Sequence, residues 1–152
     1  MGQTLHLGAP TVIEAYADRS PYGALFEDDG KVAYFYAIDT RLGDHDAAVL
    51  DALYIYHVTS VLNYPTPELD VYRPCDVEIK WSADQQRVAL VMNGHAHAAF
   101  DFEHKRAYCR SNFPSASRWS PEGHEWDQHA VDFLEGLSAD AEQPVCRVTT
   151  LQ

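Results

Sequence analysis

Several kinds of catalytic equipment are missing from these 152 residues. There is no Cys-X-X-Cys pair, no Gly-X-Ser-X-Gly elbow, no phosphate-binding glycine loop and no dinucleotide fingerprint. Those absences argue against dithiol redox, zinc-ribbon, serine-hydrolase and nucleotide-dependent classes, and no cofactor is expected. Cysteine is scarce: Cys75, Cys109 and Cys146 are an odd number at wide spacings, which fits free thiols in a reducing cytosol. No stretch approaches the ~20 apolar residues of a membrane span. The opening "MGQTLHLGAPTVIEAYA" lacks the basic and apolar regions of a secretion signal, and His6 stands where a myristoylation signal wants Ser or Thr. A cytoplasmic protein is expected. Basic residues are also few, 11 against 23 acidic, for a net charge of −12. That charge repels phosphate backbones and anionic lipid, so nucleic acid and membrane are disfavoured as partners. A basic protein is the complementary one.

Hydrophobic residues make up 46% of the chain and aromatics 12%, with nine tyrosines. This is the composition of a globular, strand-rich chain. A length of 152 residues suits one domain, 1–152. "TVIEAYA" at 11–17 reads as a first strand. Around Asp28-Asp29-Gly30, two β-prone runs read as a hairpin. A three-residue loop pairs Glu27 with Lys31 and sets Phe26 on the face of Val32, Tyr34 and Tyr36; a two-residue loop shifts that register by one. "AVLDALYIYHV" favours strand over helix, and "LNYPTPELDVYRPC" reads as an irregular connection.

From Cys75 the segments "CDVEIKWS", "RVALVM", "HAHAAFDFE" and "RAYCRS" predict a four-strand antiparallel meander, with Asn93-Gly94 the strongest hairpin signal. Ser120 and Pro121 offer a helix start, and Trp126, Ala130, Phe133, Leu134 and Leu137 recur at helical spacing. One amphipathic helix over about 122–137 should pack on the sheet. The tail 138–152 ends in "VCRVTTL", which can add an edge strand or fray. The expected fold class is therefore α+β, an antiparallel β meander of about six to eight strands with one C-terminal helix.

Few residues suggest chemistry. Simple alternation along 95–103 places His95, His97, Ala99, Asp101 and Glu103 on one face, with Met92 facing His95 and Leu90 facing His97. Two histidines at i and i+2 on a strand can share one metal ion, but zinc needs further ligands, and Asp101 lies ~13 Å along the strand from His97. The loop Asp44-His45-Asp46 is the candidate source of a third ligand. "HEWDQH" at 124–129 is not the zinc-protease HExxH, because its second histidine falls at i+5 and not i+4. Cys109 reads as a buried, inert thiol.

The blocks "FEDDGKVAYFYAID", "LDALYIYHV" and "WSADQQRVALVMNGHAHAAFDFEHKRAYCRSNFP" resemble, in order, those of an uncharacterised family of small bacterial proteins catalogued as a domain of unknown function. The resemblance covers about residues 20–114 and implies no activity, cofactor or catalytic residue. The charge and composition favour a non-enzymatic binding protein, in its specific form an immunity or inhibitor protein that neutralises a basic bacterial toxin. Glu27, Asp28, Asp29, Asp44 and Asp46 are its candidate acidic contacts, with Trp81 and Tyr108 as aromatic anchors. The alternatives are a small metal-dependent enzyme built on His95 and His97, and a ligand-binding or homo-oligomeric scaffold that uses a sheet face carrying Tyr34, Tyr36, Tyr54 and Tyr56.

Overall fold

The structure, a computed structural model, describes residues 3–43, 45–57, 74–130, 144 and 146–150. Ten strands follow one another along these residues: β1 (Gln3–Leu5), β2 (Thr11–Tyr16), β3 (Tyr22–Asp28), β4 (Val32–Asp39), β5 (Val49–His57), β6 (Cys75–Trp81), β7 (Arg87–Met92), β8 (His95–Asp101), β9 (Arg106–Cys109) and β10 (Cys146–Thr150). They form two five-stranded sheets, in the orders β1-β6-β7-β8-β9 and β10-β2-β3-β4-β5, with every pairing antiparallel. The meander expected from Cys75 to Cys109 is thus one sheet of two, and it gains β1 as an edge.

Alternation explains why the sheets stack. Ile13, Phe26, Phe35 and Leu53 on one sheet and Val77, Ile79, Leu90 and Phe100 on the other all point into one buried cluster. Phe35 and Phe100 stack across the sandwich at 5.1 Å, and Trp81, Phe102 and Tyr22 continue the aromatic layer. At roughly 25 cal/mol per Å2 of apolar surface, each such ring contributes about 2–3 kcal/mol of burial. Tyr56 belongs to this interior as well.

Three sequence-based expectations need correction. First, the β3–β4 hairpin pairs Glu27 with Tyr34 and Asp28 with Ala33, so it has neither expected register. Phe26 faces Phe35, which leaves Tyr34 and Tyr36 on the outer side. The cause is the turn chemistry: the Asp29 carboxylate accepts the Lys31 and Val32 amides, and the Asp28 carboxylate accepts those of Gly8 and Gly30. These bonds carry the chain round a longer loop. Second, residues 122–127 are turn and irregular chain, and within the expected span the described residues are helical only at Gln128–Ala130; the rest of the expected helix, 131–137, falls outside the described residues. Ser120 does not cap it. Its buried hydroxyl accepts the Ala107 amide and donates to the Gly123 carbonyl, which ties the 115–124 loop to β9. Third, the described residues hold ten strands where about six to eight were expected, and of the two outcomes open to the tail it takes the edge strand, with Cys146–Thr150 pairing on β2 as β10. The proline-rich connection of 62–73 lies outside the described residues. No helix among the described residues is long and apolar enough to cross a membrane.

Candidate functional site

The Asn93-Gly94 hairpin has the predicted two-residue turn: both residues take positive φ, 50° and 84°, as a type I′ turn requires, and Met92 faces His95. Beyond that pair the expected face is wrong. Leu90 pairs with Ala98 and Val91 with Ala96, so His97 is the extra residue of a β-bulge. The bulge moves Ala98 and Phe100 into the core and puts Ala96 and Ala99 on the outer side with Ala89 and Val91, where Tyr108 and Trp126 cover them.

His97 is buried, whereas His95 is exposed. Burial first, then the charges of Arg110 and His95, pushes the His97 imidazole down to about 3. The charge of neighbouring Arg110 also opposes a cation beside this imidazole. Asp101 is bound to the imidazole of His104 at 2.9 Å. Among the described residues no group of three or more His, Cys, Asp or Glu is placed to hold a metal ion. Asp44 and the side chains of His45 and Asp46 lie outside what is described.

The other thiol and imidazole candidates are interior fittings. Cys109 is fully buried, its thiol is pushed up by burial, and its sulfur donates to the Tyr54 carbonyl at 3.0 Å. His124, at the head of "HEWDQH", is also fully buried. Its Nε2 bonds Asp51 at 2.9 Å and its Nδ1 the Pro114 carbonyl at 2.5 Å, so both ring nitrogens meet acceptors. Burial alone would lower this imidazole, but Asp51 and the Pro114 oxygen outweigh it and raise it. Nothing in the local sequence spacing points to Asp51 as its partner, since the two are 73 residues apart.

The predicted partner contacts scatter. Asp28 is fully buried and accepts the Tyr56 hydroxyl at 2.5 Å besides its two amides, so its oxygens are spent inside the fold. Trp81 is 1% exposed and belongs to the core, which removes it as an anchor. Tyr108 is half-buried on the outer side of the meander sheet, under the Arg106 guanidinium. Glu27 is on the outer side of the other sheet, and exposed Asp29 is at the tip of the same hairpin. The two outer faces of a sandwich point in opposite directions, so Tyr108 and Glu27 cannot share one contact surface.

What the structure does bring together is a groove of about 580 Å3 across the outer face of β2, β3 and β4, rimmed by the short 3-10 turns of Thr40–Leu42 and His45–Ala48. Cross-strand pairing builds it from rows: Glu14, Leu25 and Tyr36 in one, Tyr16, Gly23 and Ile38 in the next. Glu27 stands one step further along β3 on the same face. Tyr16 donates its hydroxyl to Glu14 at 3.0 Å and Tyr36 donates to Glu27 at 3.4 Å. Burial, helped by those carboxylates, raises both phenols, Tyr36 to about 12, so each remains a donor near neutral pH. Leu25, Ile38, Ala48 and Val49 supply an apolar floor. Among the described residues no lysine or arginine lines the groove, although Arg147 on β10 faces Glu14 at its border. Tyr34, Tyr54 and exposed Phe113 extend the aromatic surface beside it, with ring contacts of 5.9–6.0 Å. Of the four tyrosines expected to form a face, three do, and Tyr56 points inward.

Comparison with known proteins places the chain without assigning it chemistry. Residues 5–135 match the family described as "Uncharacterized protein conserved in bacteria (DUF2251)", a longer match than the 20–114 blocks and one that reaches past the 115–124 loop. An "Uncharacterized protein" from Haemophilus influenzae is 30% identical over 122 residues, covering 78% of this chain and 70% of that relative. No solved structure matches the chain. The chain belongs to this family of uncharacterized proteins conserved in bacteria.

Proposed function

We propose that this is a non-enzymatic binding protein that holds a basic protein partner, and that it acts in the cytoplasm as an immunity or inhibitor protein against a basic bacterial toxin. The observation that carries the reading is the groove, in which two carboxylates and two tyrosine hydroxyls ring an apolar floor with no basic residue among the described residues of the lining. Complementary charge accelerates encounter and rejects acidic competitors, and tyrosines beside an apolar floor suit the desolvated centre of an interface. The net charge of −12 supports the same polarity of partner. The enclosure of His97, Cys109 and His124 supports binding over catalysis, because none of these nucleophile or base candidates meets solvent.

The test is rescue. Cells carrying a basic toxin domain encoded beside this gene should grow when the intact chain is co-expressed, and the two proteins should co-purify. A Glu14→Lys/Glu27→Lys chain that remains folded should fail to rescue. Cells that lack the gene yet resist every toxin encoded nearby would end the reading.

A further inference from the structure

We infer that the groove seats one lysine or arginine side chain, with its alkyl stem over Leu25 and Ile38 and its cationic head between Glu14 and Glu27. Gly23 acts as the positioning residue for the Tyr16 wall. This rests on the reading of the protein as a binder of a basic partner.

The register sets the spacing. Glu14 faces Leu25, so Glu27 is its diagonal neighbour across the β2–β3 ladder, a separation of roughly 7–8 Å. Each carboxylate has about four lone-pair sites, and each tyrosine hydroxyl takes one of its own glutamate's. Two like charges at this range repel; Arg147 offsets part of that repulsion from the border, opposite Glu14, and a cation between the two carboxylates offsets it from within the groove. An ammonium or guanidinium fills such a gap. A bare metal ion would leave the apolar floor unused, and an anion would face two carboxylates. The floor of Leu25, Ile38 and Val49 below a polar rim matches side chains that are aliphatic along the stem and charged at the tip. The Tyr16 and Tyr36 rings can add cation–π attraction. A volume of about 580 Å3 lies within the range of sites that enclose small ligands, so a side chain fits with some flanking backbone.

The Tyr16 wall depends on a glycine. A Cβ on Gly23 would lie 2.4 Å from Cδ1 and 2.8 Å from Cε1 of Tyr16, so the ring sits directly against the bare backbone of its cross-strand partner. Any larger residue at 23 displaces the ring.

The experiment is an amide-resolved NMR titration of the intact chain with the N-acetyl amides of lysine, arginine and norleucine. The two cationic probes should move the amides of Leu25, Tyr36 and Ile38, and norleucine, which has the stem without the charge, should not. Glu14→Gln/Glu27→Gln should weaken the cationic probes by about tenfold or more, the effect of one lost charge-assisted hydrogen bond. Arg147→Gln, which removes the bordering cation, should tighten them. Gly23→Ala should weaken them in the native chain and cost nothing further in a Tyr16→Ala background, which separates ring positioning from general damage to the sheet. An equal response to norleucine, or a cationic response that the double glutamine variant leaves unchanged, overturns the inference. Toxin rescue that survives Glu14→Gln/Glu27→Gln overturns this inference and spares the wider reading. Probe binding at the groove without any rescue does the reverse.

Discussion

Replacing Asp51 by asparagine removes the charge partner of a histidine that solvent does not reach. The His124 and Asp51 side chains are 0% and 2% exposed, and they join β5 to the loop that follows β9. The loop is held at further points: the Cys109 amide donates to the His124 carbonyl, and the His124 amide donates to that of Ser115. Breaking one side of a buried pair typically costs about 3–5 kcal/mol, because the remaining charge keeps its desolvation penalty. Asparagine preserves the shape and one acceptor, so the lower end, about 3 kcal/mol, is the expected loss. For a chain of this size that corresponds to a drop in Tm of roughly 6–12 °C. The effect has a signed pH dependence. The folded-state imidazole is raised above its ordinary value of 6.5. Its stabilising contribution is therefore complete below the unfolded value and fades as pH rises through the folded one. Urea melts of the native chain and Asp51→Asn at pH 5.5, 7 and 9 should show a gap that is widest at pH 5.5 and narrows towards pH 9. A gap under about 0.5 kcal/mol at pH 5.5, or one that widens with pH, would refute the buried ion pair.

Two other perturbations probe the interior. Tyr56→Phe removes the hydroxyl on buried Asp28 and leaves that carboxylate with the Gly8 and Gly30 amides alone; chemical denaturation should show a loss of about 1.5–3 kcal/mol, the range for a hydrogen bond to a charged group. Burial raises all three thiols, that of Cys75 to about 11, but Cys75 and Cys109 are enclosed whereas Cys146 is partly exposed, so access sets the order of reaction. Half-buried Cys146 should therefore react first with an aromatic disulfide reagent, and Cys146→Ser should abolish the early phase while leaving the slow one.

Much of the meander could be read from the sequence because its signals are local. Alternation in "CDVEIKWS" marks β6, and Asn93-Gly94, a pair well suited to a type I′ turn, joins β7 to β8 without knowledge of the rest of the chain. The second sheet was legible as separate strands, but its union with the first was not. Stacking depends on which faces are apolar, and the inward set Ala33, Phe35 and Ala37 is distinguished from outward Tyr34 and Tyr36 only once the register is known. That register is set by two aspartates whose partners include Gly8, 20 residues away. The His95/His97 face failed for a similar reason. A bulge is a property of two strands, and nothing in "NGHAHAAFDFE" announces one. Within the groove, Glu27 was identified from its charge alone. Glu14 and Gly23 were missed because each sits in an ordinary strand pattern and gains its meaning from a cross-strand neighbour.

The acidic groove as the contact for a basic partner is tested most directly by mapping that contact. A purified basic toxin domain encoded beside the gene, titrated into isotope-labelled protein, should perturb the amides of Leu25, Tyr36, Ile38 and Val49. It should bind more weakly as salt rises, and should lose affinity with Glu14→Lys/Glu27→Lys but not with Glu103→Lys, an exposed acid in the turn between β8 and β9. A contact centred on the outer face of β6 to β9, or one that Glu14→Lys/Glu27→Lys leaves intact, would contradict the account.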